Sequence, residues 1–328
     1  MVEHRTGRGA ERLVAVVVTY NRLDQLKVTL ARLLAEPPEH LAALVVVDNA
    51  STDGTGDWLA RQDDPRLDMQ RLEVNSGGAG GFATGMARAR DAHDPDWLVV
   101  MDDDARPEPG ALAAFHATER DGWEGFAAAV YFPDGRICEM NRPSRNPFWH
   151  GTEFLATLRR GRAGFHLPPA AYNQPRTLPI DVTSFVGFFI SRAGLERAGL
   201  PDPGLFLYGD DGLYTLGLTA MGGRIGFAPG VRFEHDCSTF NAAQRGRFVP
   251  LWKVYYYHRN LLMLYRMAAG WMFWPALLVV VPKWLWKARA HGGERGLFLR
   301  LMLRALRDGL ARRTAVAHQR VLGWVGQA

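Results

Sequence analysis

The 328-residue sequence has only two cysteines, Cys138 and Cys237, and they form no CxxC pair. This scarcity excludes a disulfide-stabilised scaffold, and the spacing does not suggest a zinc site. Two thiols are compatible with a reducing cytosolic compartment. We therefore expect a chain that folds on its hydrophobic core, and the 47% hydrophobic content is enough for one large domain with an appendage or for two domains.

No apolar run in the sequence reaches the roughly 20 residues that a membrane-spanning helix needs. Residues 13–18 are too short for a signal-peptide core and follow a polar N-terminus, so we expect no export signal. The longest run, 267–282, contains Pro275 and ends at Lys283. These features favour an interfacial segment and predict a cytoplasmic protein peripheral to the inner membrane.

The net charge is only +5, although the sequence pI is near 9.4. Basic residues crowd the last third of the chain and are sparse around its main acidic cluster. That asymmetry indicates a membrane surface or a phosphate-bearing partner. We expect no nucleic-acid partner, and the oligomeric state stays open.

The first 60 residues contain two strand-helix units. Residues 13–18 and 43–47 are continuous runs rich in valine, typical of parallel strands buried on both faces. Between them, the leucines of 23–34 fall on one helical face. The pattern predicts an α/β fold with a mostly parallel, Rossmann-like sheet flanked by helices.

A third strand, 97–101, leads directly into three consecutive carboxylates, Asp102, Asp103 and Asp104. Like charges so close repel one another unless a cation lies among them, which indicates a metal site. Oxygen ligands favour Mg²⁺ or Mn²⁺ over zinc. The triplet alone is equally compatible with an acidic turn after a buried strand.

A glycine-rich stretch, 75–82, lies between these strands. Such glycines allow the backbone to approach a ligand and direct N–H groups at it from a helix N-terminus. The stretch is not the GxGxxG dinucleotide motif, since it does not follow the first strand. A simple tight turn is the alternative.

The sequence changes character beyond residue 245, which we take as the boundary between the main domain, 1–245, and a helical region, 246–328. Residues 252–260 are rich in aromatics and cations, and the apolar run follows. A basic amphipathic helix comes next, with an apolar stripe and a basic row of Leu299, Leu303, Leu306, Leu310, Arg300, Arg304 and Arg307. Together they suit an anionic membrane surface, although packing on the protein's own core is the alternative.

Four motifs in order resemble the nucleotide-binding half of family 2 glycosyltransferases of GT-A fold. They are 16–22 (VVVTYNR), 47–54 (VDNASTDG), the glycine stretch 75–82 and the acidic triplet 102–104. The glycine stretch and the full triplet are most similar to bacterial UDP-galactofuranosyltransferases and rhamnosyltransferases. The resemblance covers roughly residues 13–260.

The resemblance implies a set of donor-site residues. The base, ribose and diphosphate would be held by Thr19, Tyr20, Asn21, Asp48, Asn75, Gly77, Gly78, Gly80, Gly81, Asp102 and Asp103. A divalent ion, Mn²⁺ or Mg²⁺, would be held by Asp102, Asp104 and the late histidine, His235. Without the resemblance, a lone histidine near a strand end is usually a packed or solvated residue.

Members of the family invert the anomeric centre, which requires a base for the acceptor hydroxyl. The resemblance assigns that base to Asp211, beside Asp210, although an Asp pair in a turn also serves as ordinary helix capping. The chain departs from the family pattern at Leu213 and Gly217, where Glu and Arg are common. A later similarity implies acceptor or membrane contact by Tyr257, Arg259 and Asn260.

These expectations describe an inverting, metal-dependent glycosyltransferase that moves galactofuranose from UDP to a hydroxyl of a lipid-linked or cell-surface glycan. A dTDP-rhamnose-dependent rhamnosyltransferase is the main alternative. A nucleotidyltransferase would commonly carry a Gly-rich, Lys/Arg-bearing loop after its first strand, where this chain has 19–22 (TYNR). A non-catalytic membrane adaptor would not need carboxylates at two sites.

Overall fold

The computed structural model describes residues 11–237 and 247–326. The polar segment 1–10 and the expected domain boundary at residue 245 lie outside the described residues. The architecture is α/β, with a central sheet between layers of helices. The fold class expected from the sequence is therefore confirmed.

One sheet contains the nine strands of the described residues, in the spatial order β3-β2-β1-β4-β8-β6-β9-β5, with β7 paired to β9. The strands are β1 Leu13–Thr19, β2 Ala43–Asp48, β3 Leu67–Arg71, β4 Trp97–Asp102, β5 Ala105–Pro107, β6 Gly125–Tyr131, β7 Leu178–Ile180, β8 Phe188–Ser191 and β9 Ile225–His235.

The first half of the sheet is parallel, as predicted. Strand β1 pairs in parallel with β2 and β4, and β2 pairs in parallel with β3. All seven residues of β1 and all six of β2 are buried, because helices cover both faces of these strands. Their carboxyl ends therefore lie at one edge of the sheet.

The second half is mixed, so the expectation of a mostly parallel sheet holds only in part. Strand β8 is antiparallel to both β4 and β6, while β6 and β9 are parallel. Strand β5 follows the acidic triplet immediately and runs antiparallel to β9, which places Ala105 opposite His235. This pairing brings the end of β9 beside the triplet.

Seven helices accompany the sheet within the described part of the chain before residue 238. They are α1 Leu23–Leu34, α2 Thr55–Leu59, α3 Gly77–His93, α4 Ala111–Ala117, α5 Gly151–Arg160, α6 Arg192–Ala198 and α7 Asp210–Ala220. Buried side chains form one apolar cluster on each face of the sheet.

The C-terminal region is helical, with α8 Lys253–Ala269, α9 Phe273–Trp286, α10 Arg295–Leu310 and α11 His318–Gly323. It has an apolar cluster of its own, which includes Tyr255, Tyr256 and Phe298. Phe206, from the segment before α7, is part of the same cluster and stacks on Tyr256 with ring centroids 4.8 Å apart. The region therefore packs directly against the part of the chain that contains the sheet.

Among the described residues, one helical run, Lys253–Leu310, has the length and composition of a membrane-crossing helix. Gly270 and Gly292 interrupt it with φ values of 53° and 51°. Helix α9 between them has 14 residues, about 21 Å at roughly 1.5 Å per residue, short of the roughly 30 Å hydrocarbon core. Only 11% of the most apolar window is buried. These dimensions favour an interfacial segment.

Candidate active site

The carboxyl ends of β1, β2 and β4 meet at one edge of the sheet, as their registers require. Thr19 is opposite Asp48 on one side, and Val18 is opposite Asp102 on the other. The candidate nucleotide-binding residues of three separate sequence motifs are thereby brought together. In open α/β sheets this edge is the usual ligand site.

Asp104 lies between two cationic side chains. Its carboxylate accepts a hydrogen bond from the guanidinium of Arg22, and its Oδ1 is 3.2 Å from His235 Nε2. Two of the three side chains that the resemblance assigns to a metal shell therefore lie side by side. Sequence reasoning assigned no role to Arg22, although this residue ends the motif 16–22.

Asp103 points into the protein. Thr19 Oγ1 donates to Asp103 Oδ2 at 2.7 Å, and both residues are almost fully buried, with 1% and 3% exposed. Asp103 Oδ1 is also 3.5 Å from the guanidinium of Arg22. Nucleotide contact by Thr19, Asp102 and Asp103 stays a prediction.

The pKa values of the triplet diverge strongly. Burial, reinforced by Asp104, raises the pKa of Asp102 to about 7, and burial raises that of Asp103 to about 6. Burial alone would raise the pKa of Asp104 too, but hydrogen bonds and the positive charges of His235 and Arg22 lower it overall. The cluster is therefore short of positive charge at Asp102.

His235 is the counter-charge of this cluster. Burial alone would lower its pKa, but the hydrogen bond to Asp104 and smaller contributions from Cys138 and Asp102 raise it to about 10. Two carboxylates and an imidazole nitrogen form a donor set that suits Mn²⁺ or Mg²⁺, and a divalent ion would supply the charge that Asp102 lacks. The donor chemistry of these residues suits such an ion, and the metal site stays a prediction.

Asp48 has one satisfied and one unsatisfied oxygen. Its Oδ1 accepts from the backbone N–H of Ser51 at 2.9 Å, whereas Oδ2 is buried without a hydrogen-bond partner among the described residues, 3.7 Å from Arg71 Nε. Such buried acceptors are rare in native proteins unless a ligand satisfies them. The geometry is that expected of a residue that binds a base or ribose.

Tyr20 and Asn21 occupy the loop after β1. Tyr20 is 44% exposed, so its ring is available for stacking on a base. Asn21 has a φ of 53°, and its Oδ1 accepts from the backbone N–H of Thr52 at 2.7 Å. Its side chain therefore joins the loops after β1 and β2, and any contact with a nucleotide would fall to its remaining groups.

Two glycines of the stretch 75–82 lie in close contact with neighbouring side chains. A Cβ on Gly80 would lie 2.5 Å from Ser76, and one on Gly81 would lie 2.5 Å from a methyl of Val18. Gly81 therefore lets α3 lie on β1, and Gly80 packs against the turn before the helix. Ligand contact by their backbone groups stays a prediction. Gly78 has open space around it and stays available to a ligand.

Gly77 is required by its conformation. Its φ is +72°, and a Cβ there would lie 2.1 Å from the carbonyl oxygen of Phe206. Asn75 Oδ1 accepts from the backbone N–H of Gly77 at 2.8 Å. Asn75 and Gly77 therefore shape the turn that leads into α3, where sequence reasoning expected donor contacts.

Asp210 and Asp211 begin α7 and lie beside the triplet. Burial raises the pKa of Asp210 to about 8, with contributions from Asp211 and Asp102. Burial raises the pKa of Asp211 to about 6, against a hydrogen bond from the N–H of Gly212. Asp102 contributes electrostatically to the pKa of Asp210, so the two acidic motifs are neighbours.

Asp211 faces a cavity of about 390 Å³, which Asp210 does not line. The cavity has hydroxyl groups and aromatic rings beside the carboxylate, including Ser184, Tyr257 and Tyr265. Its cationic residues are Arg142, Arg145 and Arg162. The predicted base and the predicted contact residue Tyr257 thus share one cavity.

Arg259 and Asn260 are placed differently from the prediction. Both side chains are 0% exposed. Arg259 donates to the carbonyls of Gly204 and Leu205, and Asn260 Nδ2 donates to those of Leu205, Leu207 and Tyr208. The expectation of acceptor or membrane contact is wrong for these two residues, because the loop before α7 takes up all of these donors.

Comparisons with known proteins agree with this geometry. Residues 14–178 match the profile of the family described as Glycosyl transferase family 2. The galactofuranosyltransferase GlfT1 of Mycobacterium tuberculosis is 31% identical over 239 residues, which cover 70% of this chain and 71% of that one.

Two solved structures share the fold. The mannosyltransferase PcManGT from Pyrobaculum calidifontis, in complex with GDP-Man and Mn²⁺, has a TM-score of 0.54 at 18% identity, over 93% of this chain and 88% of that one. GalNAc-T7 with UDP, GalNAc and Mn²⁺ has a TM-score of 0.57 at 15% identity, over 79% of this chain and 48% of that one. The sheet and its flanking helices thus have the fold of known glycosyltransferases.

Proposed function

From the premise that this chain belongs to glycosyl transferase family 2, and is therefore a glycosyltransferase, we propose the reaction and its residues. The enzyme transfers galactofuranose from UDP, with inversion, to a hydroxyl of a lipid-linked glycan. One observation carries the proposal: the carboxylate-histidine cluster at the sheet edge adjoins Asp210, and the neighbouring Asp211 opens onto a separate cavity.

The donor occupies the sheet edge in this proposal. Asp48 and Tyr20 hold the base and ribose, and the unsatisfied Asp48 Oδ2 supports that role. Asp102, Asp104 and His235 would hold a divalent ion, and both structural neighbours are described with Mn²⁺. The ion supplies positive charge to the diphosphate as it departs.

Asp211 acts as the general base in this proposal. It accepts the proton of the acceptor hydroxyl, and inversion requires that hydroxyl to approach from the side opposite the departing diphosphate. A base is most effective when its pKa lies near the working pH, and the pKa of Asp211 is raised to about 6. Asp210, with a pKa raised to about 8, is largely protonated at neutral pH and supports its neighbour.

The cavity beside Asp211 is the proposed acceptor site. Aromatic rings such as Tyr257 and Tyr265 suit sugar faces, and arginines suit the phosphates of a lipid-linked glycan. Among the described residues, Arg162 forms no ion pair, whereas Arg142 and Arg145 pair with Glu139 and Glu153. Arg162 is therefore the cation with the best access to an acceptor phosphate.

We place the enzyme at the cytoplasmic face of the membrane. In α10, three leucines of the predicted apolar stripe are exposed, namely Leu299, Leu303 and Leu310, with Leu303 63% exposed. Leu306 packs against the core instead, as the alternative expected for the whole stripe. In α9, Leu278 is 79% exposed. Both helices offer apolar surface next to basic residues, as a membrane-associated protein requires.

The donor test uses thermal unfolding of the full chain with Mn²⁺ and a sugar nucleotide. We expect UDP-galactofuranose to raise the Tm only when Mn²⁺ is present, since a ligand stabilises the state that binds it. dTDP-rhamnose should leave the Tm unchanged. A metal-dependent rise with dTDP-rhamnose alone would replace the galactofuranose assignment by the rhamnosyltransferase alternative.

Asp104→Ala supplies the residue control for this measurement. The variant removes one proposed ligand of the ion, so the metal-dependent rise in Tm should disappear. Asp57→Ala, at an exposed position of α2, should retain the full rise. An Asp104→Ala protein that keeps the wild-type response would contradict the metal site.

A further inference from the structure

The only two cysteines of the sequence meet in the folded chain. Cys138 precedes a short 3-10 turn, Glu139–Asn141, after β6, and Cys237 lies two residues beyond His235 at the end of β9. The parallel pairing of β6 and β9 brings the two segments together. The sequence spacing did not suggest a zinc site, and only the sheet register creates this cluster.

Three ligand atoms converge there. The sulfur atoms of Cys138 and Cys237 and a ring nitrogen of His235 all lie within 4.8 Å of one another. Cys138 Sγ is 3.9 Å from His235 Nδ1. In tetrahedral zinc sites, with metal bonds of roughly 2.0–2.3 Å, neighbouring ligand atoms are about 3.5–3.8 Å apart. Small side-chain shifts would therefore bring the three atoms around one ion.

Hydrogen bonds to Asn141 show where an ion would lie in the cluster. Asn141 Oδ1 accepts from the thiol of Cys138 at 3.0 Å and is 2.7 Å from His235 Nδ1. The thiol and the imidazole thus already point at one atom. A cation would take the place of this acceptor for both groups, with Asn141 turned aside or retained as an oxygen ligand.

Access and ligand type favour a soft ion. Cys138 is 0% exposed and Cys237 is partly exposed. Solvent is therefore excluded from the cluster at Cys138, and an ion can enter it at Cys237. Thiolate and imidazole ligands select Zn²⁺ and its congeners over Mg²⁺ or Mn²⁺. Three protein ligands leave a fourth position for water.

We propose that Cys138, His235 and Cys237 form a binding site for a soft divalent cation of the class of Zn²⁺. The site is distinct from the oxygen-rich site at Asp102 and Asp104, but the two share one imidazole. Nδ1 of His235 faces the sulfur atoms, and Nε2 faces Asp104 at 3.2 Å. One consequence rests on the proposed function: a Zn²⁺ ion bound to Nδ1 leaves the N–H of His235 on Nε2, so that nitrogen can no longer serve as a ligand of the oxygen-rich site, and sugar transfer slows.

The binding test uses Cd²⁺ as the probe, because cadmium-thiolate bonds absorb in the ultraviolet. The full chain is titrated in excess Mg²⁺, and the absorbance should saturate at one Cd²⁺ per chain. Both cysteines of the sequence lie in the cluster, so this signal has a single source. Cys237→Ser should weaken Cd²⁺ binding at least tenfold, whereas His116→Gln, in α4, should leave it unchanged.

Several outcomes would overturn the site. They are the absence of thiolate absorbance, a full signal in Cys237→Ser, or saturation at one Cd²⁺ per two chains. If Cys237→Ser does not fold, the site is tested on the wild-type chain alone. Bound Cd²⁺ should slow the reaction of the two thiols with a thiol reagent at least tenfold. An unchanged reaction rate would contradict the site.

A measurement of sugar transfer tests the cation site separately from the proposed function. Zn²⁺ should inhibit sugar transfer by the wild type, and Cys237→Ser should be at least tenfold less sensitive. Thiolate absorbance without inhibition would confirm the cation site and refute its coupling to His235. Thiolate absorbance in a chain that transfers no sugar would leave the cation site in place and count against the proposed function.

Discussion

Asp211 combines burial with access to a cavity. The residue lies in the first turn of α7, its carboxylate accepts from the backbone N–H of Gly212, and burial raises its pKa to about 6. At neutral pH the group is therefore ionised yet still basic. A general base whose pKa lies near the working pH typically increases the reaction rate 10²–10⁴-fold.

The first prediction concerns this residue. Wild-type turnover should rise with pH as Asp211 loses its proton near pH 6 and then level off. Asp211→Asn should lower kcat by about 10²–10⁴-fold and leave the Kd for UDP and Mn²⁺ within about twofold, as calorimetry can measure. Normal turnover by Asp211→Asn would refute the assignment.

The same substitution makes a prediction about stability. Because the folded-state pKa of Asp211 lies above its ordinary value of 3.8, the folded state binds the proton more tightly, and stability falls as pH rises from about 4 to about 6. Asp211→Asn removes that loss. The ligand-free variant should have a higher Tm than the wild type at pH 8 and a smaller difference at pH 4, with Asp57→Asn as the exposed control.

At the scale of single residues, sequence reasoning located the carboxylates but not their orientation. Asp104 and His235 lie side by side because Asp104 directly precedes β5, which pairs with the end of β9. Asp103 and Thr19 bind each other, and Arg22 neutralises Asp104. Such choices depend on side-chain packing between elements, which a linear motif does not encode.

At the scale of elements, α8 supports the loop before α7. Asn260 alone donates to three carbonyls of this loop, and Arg259 donates to two of its carbonyls and to that of Thr314. Within the loop, Phe206 and Tyr208 have φ values of 64° and 69°, which are unfavourable for residues other than glycine. The helix therefore stabilises a strained loop that leads directly to Asp210.

The prediction at this scale uses Asn260→Ala. Loss of the amide leaves three buried carbonyls without this donor, so we expect unfolding stability to fall by about 2–4 kcal/mol. The loop should also shift, and turnover should fall at temperatures where the chain stays folded. Met267→Ala, exposed near the end of the same helix, is the control, measured by thermal unfolding and by kcat. Equal effects of the two changes would contradict the supporting role.

The parallel half of the sheet was predictable because buried valine runs are nearly specific for parallel strands. Strand β8 was not, since its pairing with β4 and β6 depends on where the long segment after β6 returns to the sheet. Helix α8 shows the same limit. Its cations and aromatics suggested an external partner, but Arg259 and Asn260 donate to carbonyls of a loop that the sequence does not reveal as a neighbour, and Tyr256 stacks on Phe206 of the same loop.

At the scale of the whole molecule, the C-terminal helices combine a buried side with an exposed apolar side. Helix α9 and the turn before it expose Trp271 by 81%, Trp274 by 60% and Leu278 by 79%. In the same region, Phe273 and Trp284 are buried. An apolar surface of this size with nearby lysine and arginine is typical of membrane-associated proteins.

The prediction for the whole molecule uses vesicles that contain anionic lipids. The full chain should cosediment with them, and Trp271→Ser with Leu278→Ser should weaken binding at least tenfold, because each buried apolar side chain contributes about 1.5–3 kcal/mol. Added salt should weaken wild-type binding as well. Val74→Ser, 72% exposed on the catalytic part, is the control and should bind as the wild type does. Unchanged binding by the double variant would refute the membrane surface.

The attachment of Arg259 and Asn260 to the loop at 204–208 limits how this enzyme could be re-engineered. A chimera that exchanged the C-terminal helices for a foreign lipid tether would keep the donor-binding edge of the sheet intact. It would nonetheless lose the groups that shape the approach to Asp210 and Asp211. We expect such a hybrid to bind sugar nucleotide normally and yet fail as a transferase, so attempts to relocate the activity must carry α8 along with the sheet.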